Sequence, residues 1–303
     1  MDVRVFSDRG RCVKVVLFCG GLGLRMGEAT TRTPKPMLPV GGRPIVWYIM
    51  KYYAHFGHSD FVLCLGHHAQ EIKSYFLNYN EALANDFTLW DGGSRVELAR
   101  RDMAEWRISF VDTGLHSNIG ERLSRIRDHL EGEDVFLAHY GDALTDAPLP
   151  ELIEEVVASG KIANFLCVRP SSYSFHMVDV GKGQLVRSIK DVNQSNVWIN
   201  GGYFVLRKEI FDYLEPGEDL VQEPFQRLVE LQQLLAHRHE GFWAPMDTLK
   251  DRQNLEILAE GGHPPWAVWE GASDTAVGKS APDSSPDHLV GALSAPKPSR
   301  AQR

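Results

Sequence analysis

Two cations and a run of glycines stand where a polyphosphate could be gripped. Gly20, Gly21 and Gly23 follow an apolar run, Val15 to Phe18, and precede Arg25 and Lys35. Glycines after a strand let the backbone turn sharply and approach a ligand closely. Successive N–H groups in such a loop form a concave site for anions. Arg25 and Lys35 add fixed positive charge, and Pro34 and Pro36 restrict the backbone around Lys35. On residue types alone, a glycine-rich turn beside two surface cations reads equally well. The spacing does set aside two common phosphate loops, because G-G-L-G-L-R lacks the Lys-Ser/Thr ending of a P-loop and is not G-x-G-x-x-G. Two aspartates could present carboxylates to a metal: Asp142, in H-Y-G-D-A-L-T-D, and Asp247, after Pro245-Met246. Each could instead cap a following helix. Nothing in their spacing brings them together.

The elements that must hold these groups alternate between strand and helix. The apolar run Val15–Phe18 reads as a buried strand, and Asp60–Leu65, ending at Gly66, reads as a second. Between them Pro44–Phe56 carries apolar and aromatic residues at helical spacing, and Ala69–Asn78 follows as another helix. Further strands are predicted at Arg107–Val111 and Val135–Tyr140, with a helix over Gly120–His129 between them. This order predicts a doubly wound, mixed but mostly parallel α/β sheet of Rossmann-like type. Ligands in such sheets bind at the carboxyl ends of strands, where Gly20, Gly66 and Asp142 all fall. The second half predicts a helix at Pro148–Ser159, a strand at Ala163–Val168, a hairpin over Met177–Arg187 and a strand over Val197–Leu206. An amphipathic helix at Pro224–His237, a short strand at Glu240–Ala244 and a helix at Asp247–Glu260 complete it, with a smaller β subregion.

The composition, 43% hydrophobic and 24% charged over 303 residues, suits a globular chain with a sizeable core. A net charge of −8 without a long basic run argues against a nucleic-acid partner. No apolar run approaches a membrane span. The four cysteines form no C-x-x-C and read as reduced thiols of a cytoplasmic protein. Residues 1–12 read as a short extension, 13–270 as the folded domain, and 271–303, rich in Gly, Ala, Ser and Pro, as a disordered tail.

Longer stretches carry a resemblance. G-G-x-G-x-R followed by P-K-P-M-L-P-V-G-G-R-P-I resembles the signature of the sugar-1-phosphate nucleotidyltransferases. W-Y-I-M-K-Y-Y-A-H-F-G, V-D-T-G-L-H-S, W-I-N-G-G-Y-F-V-L and G-F-W-A-P-M-D-T-L-K-D narrow it toward the glucose-1-phosphate cytidylyltransferases, in matching order from Val13 to Trp269. The resemblance implies transfer of a nucleotidyl group, cytidylyl from CTP, to a sugar 1-phosphate, with release of pyrophosphate. It implies Mg²⁺ held by Asp142 and Asp247, Arg25 on the leaving phosphates and Lys35 on the α-phosphate. It places Gly20, Gly21, Gly23, His67, Gly120, Arg122 and Asp142 around the nucleotide, and Asn200 and Gly201 at the sugar phosphate. It also implies a homo-oligomer. The alternatives it leaves are another nucleotide, a non-glucose sugar or cyclitol 1-phosphate, or a binding homologue without turnover.

The chain also departs from the family pattern. Cys19 and Leu24 stand where the family commonly has Ala and Thr, Ala143 replaces the last glycine of G-D-G, and Glu121 replaces a glycine. The family has Glu-Lys-Pro before the W-I-N-G-G segment, its lysine on the sugar phosphate. Here the residues are Lys190-Asp191-Val192, with Asp191 where the cation belongs, and Phe175-His176 replaces Phe-Gly. Lys190, one place early, is the expected substitute. Trp198 and Trp243 are expected in the core, with stacking on the sugar as the alternative.

Overall fold

A computed structural model describes residues 12–23, 26–27, 30, 33–170, 176–192 and 196–270. The predicted tail and all of the predicted extension except Cys12 lie outside these residues, as do Leu24 and Arg25. In chain order the strands are β1 (Val15–Phe18), β2 (Pro39–Val40), β3 (Arg43–Pro44), β4 (Asp60–Leu65), β5 (Phe87–Trp90), β6 (Arg95–Leu98), β7 (Arg107–Asp112), β8 (Val135–His139), β9 (Ala143–Thr145), β10 (Ala163–Val168), β11 (His176–Val180), β12 (Val186–Asp191), β13 (Ile199–Arg207), β14 (Leu234–His239) and β15 (Trp243–Pro245). The helices are α1 (Ile45–His55), α2 (Ala69–Leu77), α3 (Glu81–Ala84), α4 (Ile119–Arg125), α5 (Leu149–Ser159), α6 (Glu223–Glu230) and α7 (Leu249–Glu260).

The central sheet has seven strands in the order β14-β10-β13-β8-β1-β4-β7. Only β13 runs against its neighbours, so the sheet is mixed and mostly parallel, as the alternation of elements predicts. β1 is buried at all four residues because it lies between β4 and β8 under helices on both sides. Its side chains alternate between two cores. Val15 and Leu17 join Ile49, Tyr53 and Ile153 on one face, whereas Val16 and Phe18 join Leu123, Phe136 and Phe204 on the other.

The winding places the site. From β1 the chain adds β4 and then β7 on one side, and returns through α4 to add β8 on the other side of β1. The crossovers diverge between β1 and β8, and a crevice opens at that switch point. The glycine loop leaves β1 there, and Gly141-Asp142 leaves β8 beside it.

One expectation needs correction. The helix predicted over Pro224–His237 stops at Glu230, and Leu234–His239 is instead β14, the sheet's edge strand, paired in parallel with β10. Leu228, Leu231, Leu234 and Leu235 mimic helical spacing, but Gln232 takes φ 54 and turns the chain into the sheet. The strand predicted at Glu240–Ala244 is β15, which pairs antiparallel with β9, a partner the sequence pattern did not reveal. The β5–β6 hairpin was also unforeseen, because all but one of its residues are exposed and it carries no core-facing alternation. Among the described residues no helix is long and apolar enough to cross a membrane.

Candidate active site

The glycine loop is braced from beneath by a buried arginine. Arg122 on α4 is 3% exposed, and its guanidinium donates to the carbonyls of Gly20 (2.9 Å) and Leu65 (3.1 Å) and to Thr113 Oγ1 (2.7 Å). One side chain therefore ties together the residues that follow β1, β4 and β7. The Gly20 carbonyl also accepts from the His67 N–H at 3.3 Å. A Cβ at Gly20 would collide with the Arg122 guanidinium and lie 2.9 Å from the Gly66 nitrogen, so glycine is required by close approach. Gly23, at φ +64, has its carbonyl held by the Thr30 hydroxyl at 3.0 Å. Sequence reading placed Arg122 at the nucleotide; its hydrogen bonds place it under the loop.

Beyond the loop is a cleft of about 420 Å³ lined by Phe18, Gly21, Gly23, Tyr140 and the side chains of Lys35, Asp142 and Asp247. Lys35 sits on a single helical turn, Lys35–Met37, between two prolines. Its Nζ donates to Asp142 Oδ2 at 2.7 Å and to Asp247 Oδ1 at 2.6 Å, joining residues 107 and 212 positions away. Burial pulls the Lys35 pKa down, but the two carboxylates together outweigh it and hold the ammonium above its ordinary range. Lys35 is thus a charged donor across the physiological range.

Backbone geometry brings the two aspartates together. After β8, Gly141 turns the chain at φ +83 and projects Asp142 into the cleft. The turn is pinned by His139, whose Nδ1 accepts from the Gly141 N–H at 2.7 Å. His139 is fully buried, which pushes its pKa down to about 3 and keeps it a neutral acceptor. Next, β9 pairs with β15, and the Met246 N–H donates to the Asp142 carbonyl at 2.8 Å. This places Asp247 opposite Asp142. Asp247 does not cap α7: Thr248 does, in a capping box with Asp251. Asp142 caps nothing either, because β9 follows it.

Two converging carboxylates with no third ligating side chain describe a partial cation site, and among the described residues no group of three or more His, Cys, Asp or Glu could hold a metal. Such a pair fits a hard cation that takes its other ligands from water and phosphate oxygens, the habit of Mg²⁺.

The remaining expected residues fall in different settings. Gly120 begins α4 where a Cβ would collide with the Glu218 carbonyl, so it packs the helix. Glu121 completes a capping box with Asn118. His67 follows β4 beside His68, with ring centroids 3.9 Å apart. Slight desolvation and the neighbouring imidazole both lower the His67 pKa. Asn200 reaches toward the cleft, donating to Tyr140 Oη at 3.2 Å while its Oδ1 accepts from the Gly202 N–H. The Gly201 carbonyl accepts from the Trp243 indole at 2.8 Å, and Trp243 is core as expected. Trp198 is not: it is half-buried, with the guanidiniums of Arg169 and Arg238 over its ring at 5.0 and 5.3 Å. Lys190 and Asp191 are exposed on β12. Asp191 lies directly across from His176 on β11, and the two side chains pair at 3.1 Å. Two departures from the family pattern are thereby one cross-strand exchange.

The nucleotidyl transferase family profile matches residues 14–251. The chain belongs to that family. It is 38% identical over 260 residues to the glucose-1-phosphate cytidylyltransferase of Salmonella typhimurium, covering 85% of this chain and all of that enzyme. It is 35% identical over 259 residues to the probable glucose-1-phosphate cytidylyltransferase of Bacillus subtilis, again over 85% of this chain and the whole relative. The fold is shared with UTP-bound UGPase from Acinetobacter baumannii, at a TM-score of 0.63 and 17% identity over 88% of this chain and all of that one.

Proposed function

We propose that this nucleotidyltransferase moves a cytidylyl group from CTP to a sugar 1-phosphate, releasing pyrophosphate. The observation that carries the reading is the meeting of Lys35, Asp142 and Asp247 in one cleft beside the glycine loop. The base assignment rests on the named activity of the curated relatives.

The proposed roles combine this arrangement with the family resemblance. The phosphate chain lies along the glycine loop, whose residues Gly21, Leu22 and Gly23 line the cleft and whose backbone N–H groups are the natural donors to an anion. Lys35 neutralises charge on the α-phosphorus as the sugar phosphate oxygen attacks and pyrophosphate departs in line. Arg25, by family resemblance, holds the leaving phosphates. Asp142 and Asp247 would hold Mg²⁺, which supplies charge neutralisation across the phosphates. No covalent enzyme intermediate is needed, so catalysis is positioning and electrostatics. Arg122 and His139 act through the backbone, by fixing the loop and the Gly141-Asp142 turn.

The test is pyrophosphate release from each nucleoside triphosphate with a panel of sugar 1-phosphates. Turnover with CTP above the other nucleotides supports the reading. Turnover only with another nucleotide removes the cytidylyl assignment, and binding without turnover makes the chain a nucleotide-sugar-binding homologue.

A further inference from the structure

The acceptor substrate brings a phosphate monoester, with about two negative charges near neutral pH. Its side of the cleft therefore needs a cation, and the hairpin that carries Lys190 also carries Asp191. The strands beside the cleft offer a different source. Asn200 on β13, Cys167 on β10 and Arg238 on β14 are in register across the sheet. Residues in register on neighbouring strands share a face, and Asn200 on this face contacts Tyr140, which lines the cleft. The neighbours of Arg238 use the opposite face: His237 meets Glu155 at 2.9 Å and His239 meets Asp146 at 2.7 Å. Two strand spacings put Arg238 about 10 Å from Asn200, within reach of an extended arginine and a phosphate between them.

Arg238 is exposed, and among the described residues no carboxylate stands within salt-bridge distance of it. Its guanidinium is steadied on Trp198, two residues before Asn200, and Arg169 from the end of β10 lies over the same ring. Arg169 is half-buried and also pairs with Glu240 at 3.5 Å. An aromatic face lowers the freedom of a guanidinium without neutralising it, as here for Arg238. Planar guanidiniums bind phosphate oxygens in pairs.

We infer that Arg238 and Arg169, arrayed on Trp198, form the receptor for the sugar phosphate group, in place of a cation on the β11–β12 hairpin. The inference rests on the proposed transfer to a sugar 1-phosphate. It makes the two arginines specificity-determining residues, and Lys190 a solvent-facing lysine.

The experiment is steady-state kinetics of the full chain with CTP and glucose 1-phosphate, for wild type, Arg238→Ala, Arg169→Ala, Arg238→Lys and Lys190→Ala. Each arginine-to-alanine change is expected to raise KM for the sugar phosphate about tenfold or more, leaving KM for CTP within twofold. Arg238→Lys should recover part of the loss, and Lys190→Ala should leave both constants unchanged. A purely structural role would move both KM values together, which would overturn the assignment. So would a normal sugar-phosphate KM in both alanine variants, or a large effect confined to Lys190→Ala. If wild type turns over no sugar phosphate, the proposed activity fails by itself. Calorimetric titration with inorganic phosphate and with glucose 1-phosphate then decides the arginines alone: binding lost in Arg238→Ala and Arg169→Ala supports them, and equal binding or none in wild type removes them.

Discussion

The two sides of the cleft are built differently. On the phosphate side, the groups that grip are fixed by buried backbone contacts. Arg122 clamps three strand ends, His139 pins the Gly141 turn, and the β9–β15 ribbon aligns two carboxylates on one ammonium. On the sugar side, the β11–β12 hairpin is exposed along almost its whole length, and its ion pair lies in solvent. The phosphate side retains Lys35, Asp142 and Asp247, whereas the sugar side exchanges His176 and Asp191 into the family pattern. A buried hydrogen-bonded group is costly to change because its partners are left without water or protein. An exposed pair contributes little and can be traded freely. The Lys35–Asp142–Asp247 cluster and the His176–Asp191 pair therefore sit on supports of different stiffness.

That contrast can be broken most decisively at the carboxylates. Asp142→Asn and Asp247→Asn should each lower turnover by about a thousandfold or more, the scale at which a positioned charge acts on a transition state, with little change in melting temperature. Full activity of both variants with Mg²⁺ present would remove the cation site. Lys35→Ala should act on kcat more than on KM, because the proposed role sets the ammonium against the α-phosphate, where charge changes most. An effect on KM alone would move Lys35 away from that atom.

The next expectation concerns stability. Arg122→Ala should destabilise the protein by ~2–4 kcal/mol in chemical denaturation, since it removes three buried hydrogen bonds, to the Gly20 and Leu65 carbonyls and to Thr113 Oγ1, and opens a void. If the variant matched wild-type stability while KM for CTP rose, Arg122 would be a ligand contact rather than a brace.

A smaller effect should appear on acidification. His139 is neutral in the folded state, with its pKa depressed to about 3, whereas in the unfolded chain it titrates near 6.5. Its contribution is complete above the unfolded value and is lost progressively as pH falls from there toward 3, a change on the order of a few kcal/mol. The melting temperature of wild type should fall over that window more steeply than that of His139→Gln. Parallel curves would show that the imidazole does not govern the acid limb.

The smallest effect is expected on the hairpin. His176→Ala and Asp191→Asn should change stability by less than ~1 kcal/mol, as for other exposed pairs. A large loss would mean that the sugar side is as tightly braced as the phosphate side.

Much of this contrast was legible in the sequence, and the limits have physical causes. Asp60–Leu65 and Ala163–Val168 were read with the bounds they have, because their runs of apolar residues are buried in the sheet. Glycine punctuation located the loop. The edge strand Leu234–His239 was read as helix, since spacing reports local periodicity and not the partner strand that settles the conformation. The meeting of Asp142 with Asp247 was implied only by resemblance, as it depends on a ribbon between segments a hundred residues apart. The Asp191–His176 pair was invisible as a pair until the hairpin register was known. The bracing role of Arg122 was not legible, because a buried guanidinium and a ligand-binding one look alike in a sequence.

The Met246–Asp142 backbone bond has a consequence for how the protein is made. Lys35 emerges from the ribosome early, and its second carboxylate, Asp247, follows 212 residues later. Contacts of such long sequence separation close late, after the entropy of a large loop has been overcome. A nascent chain that has already formed β1, β4, β7 and β8 still holds half of its cation site. The cluster of Lys35, Asp142 and Asp247 is therefore complete only once one short ribbon has docked, and a chain truncated before Trp243 carries every strand of the central sheet but lacks the second carboxylate.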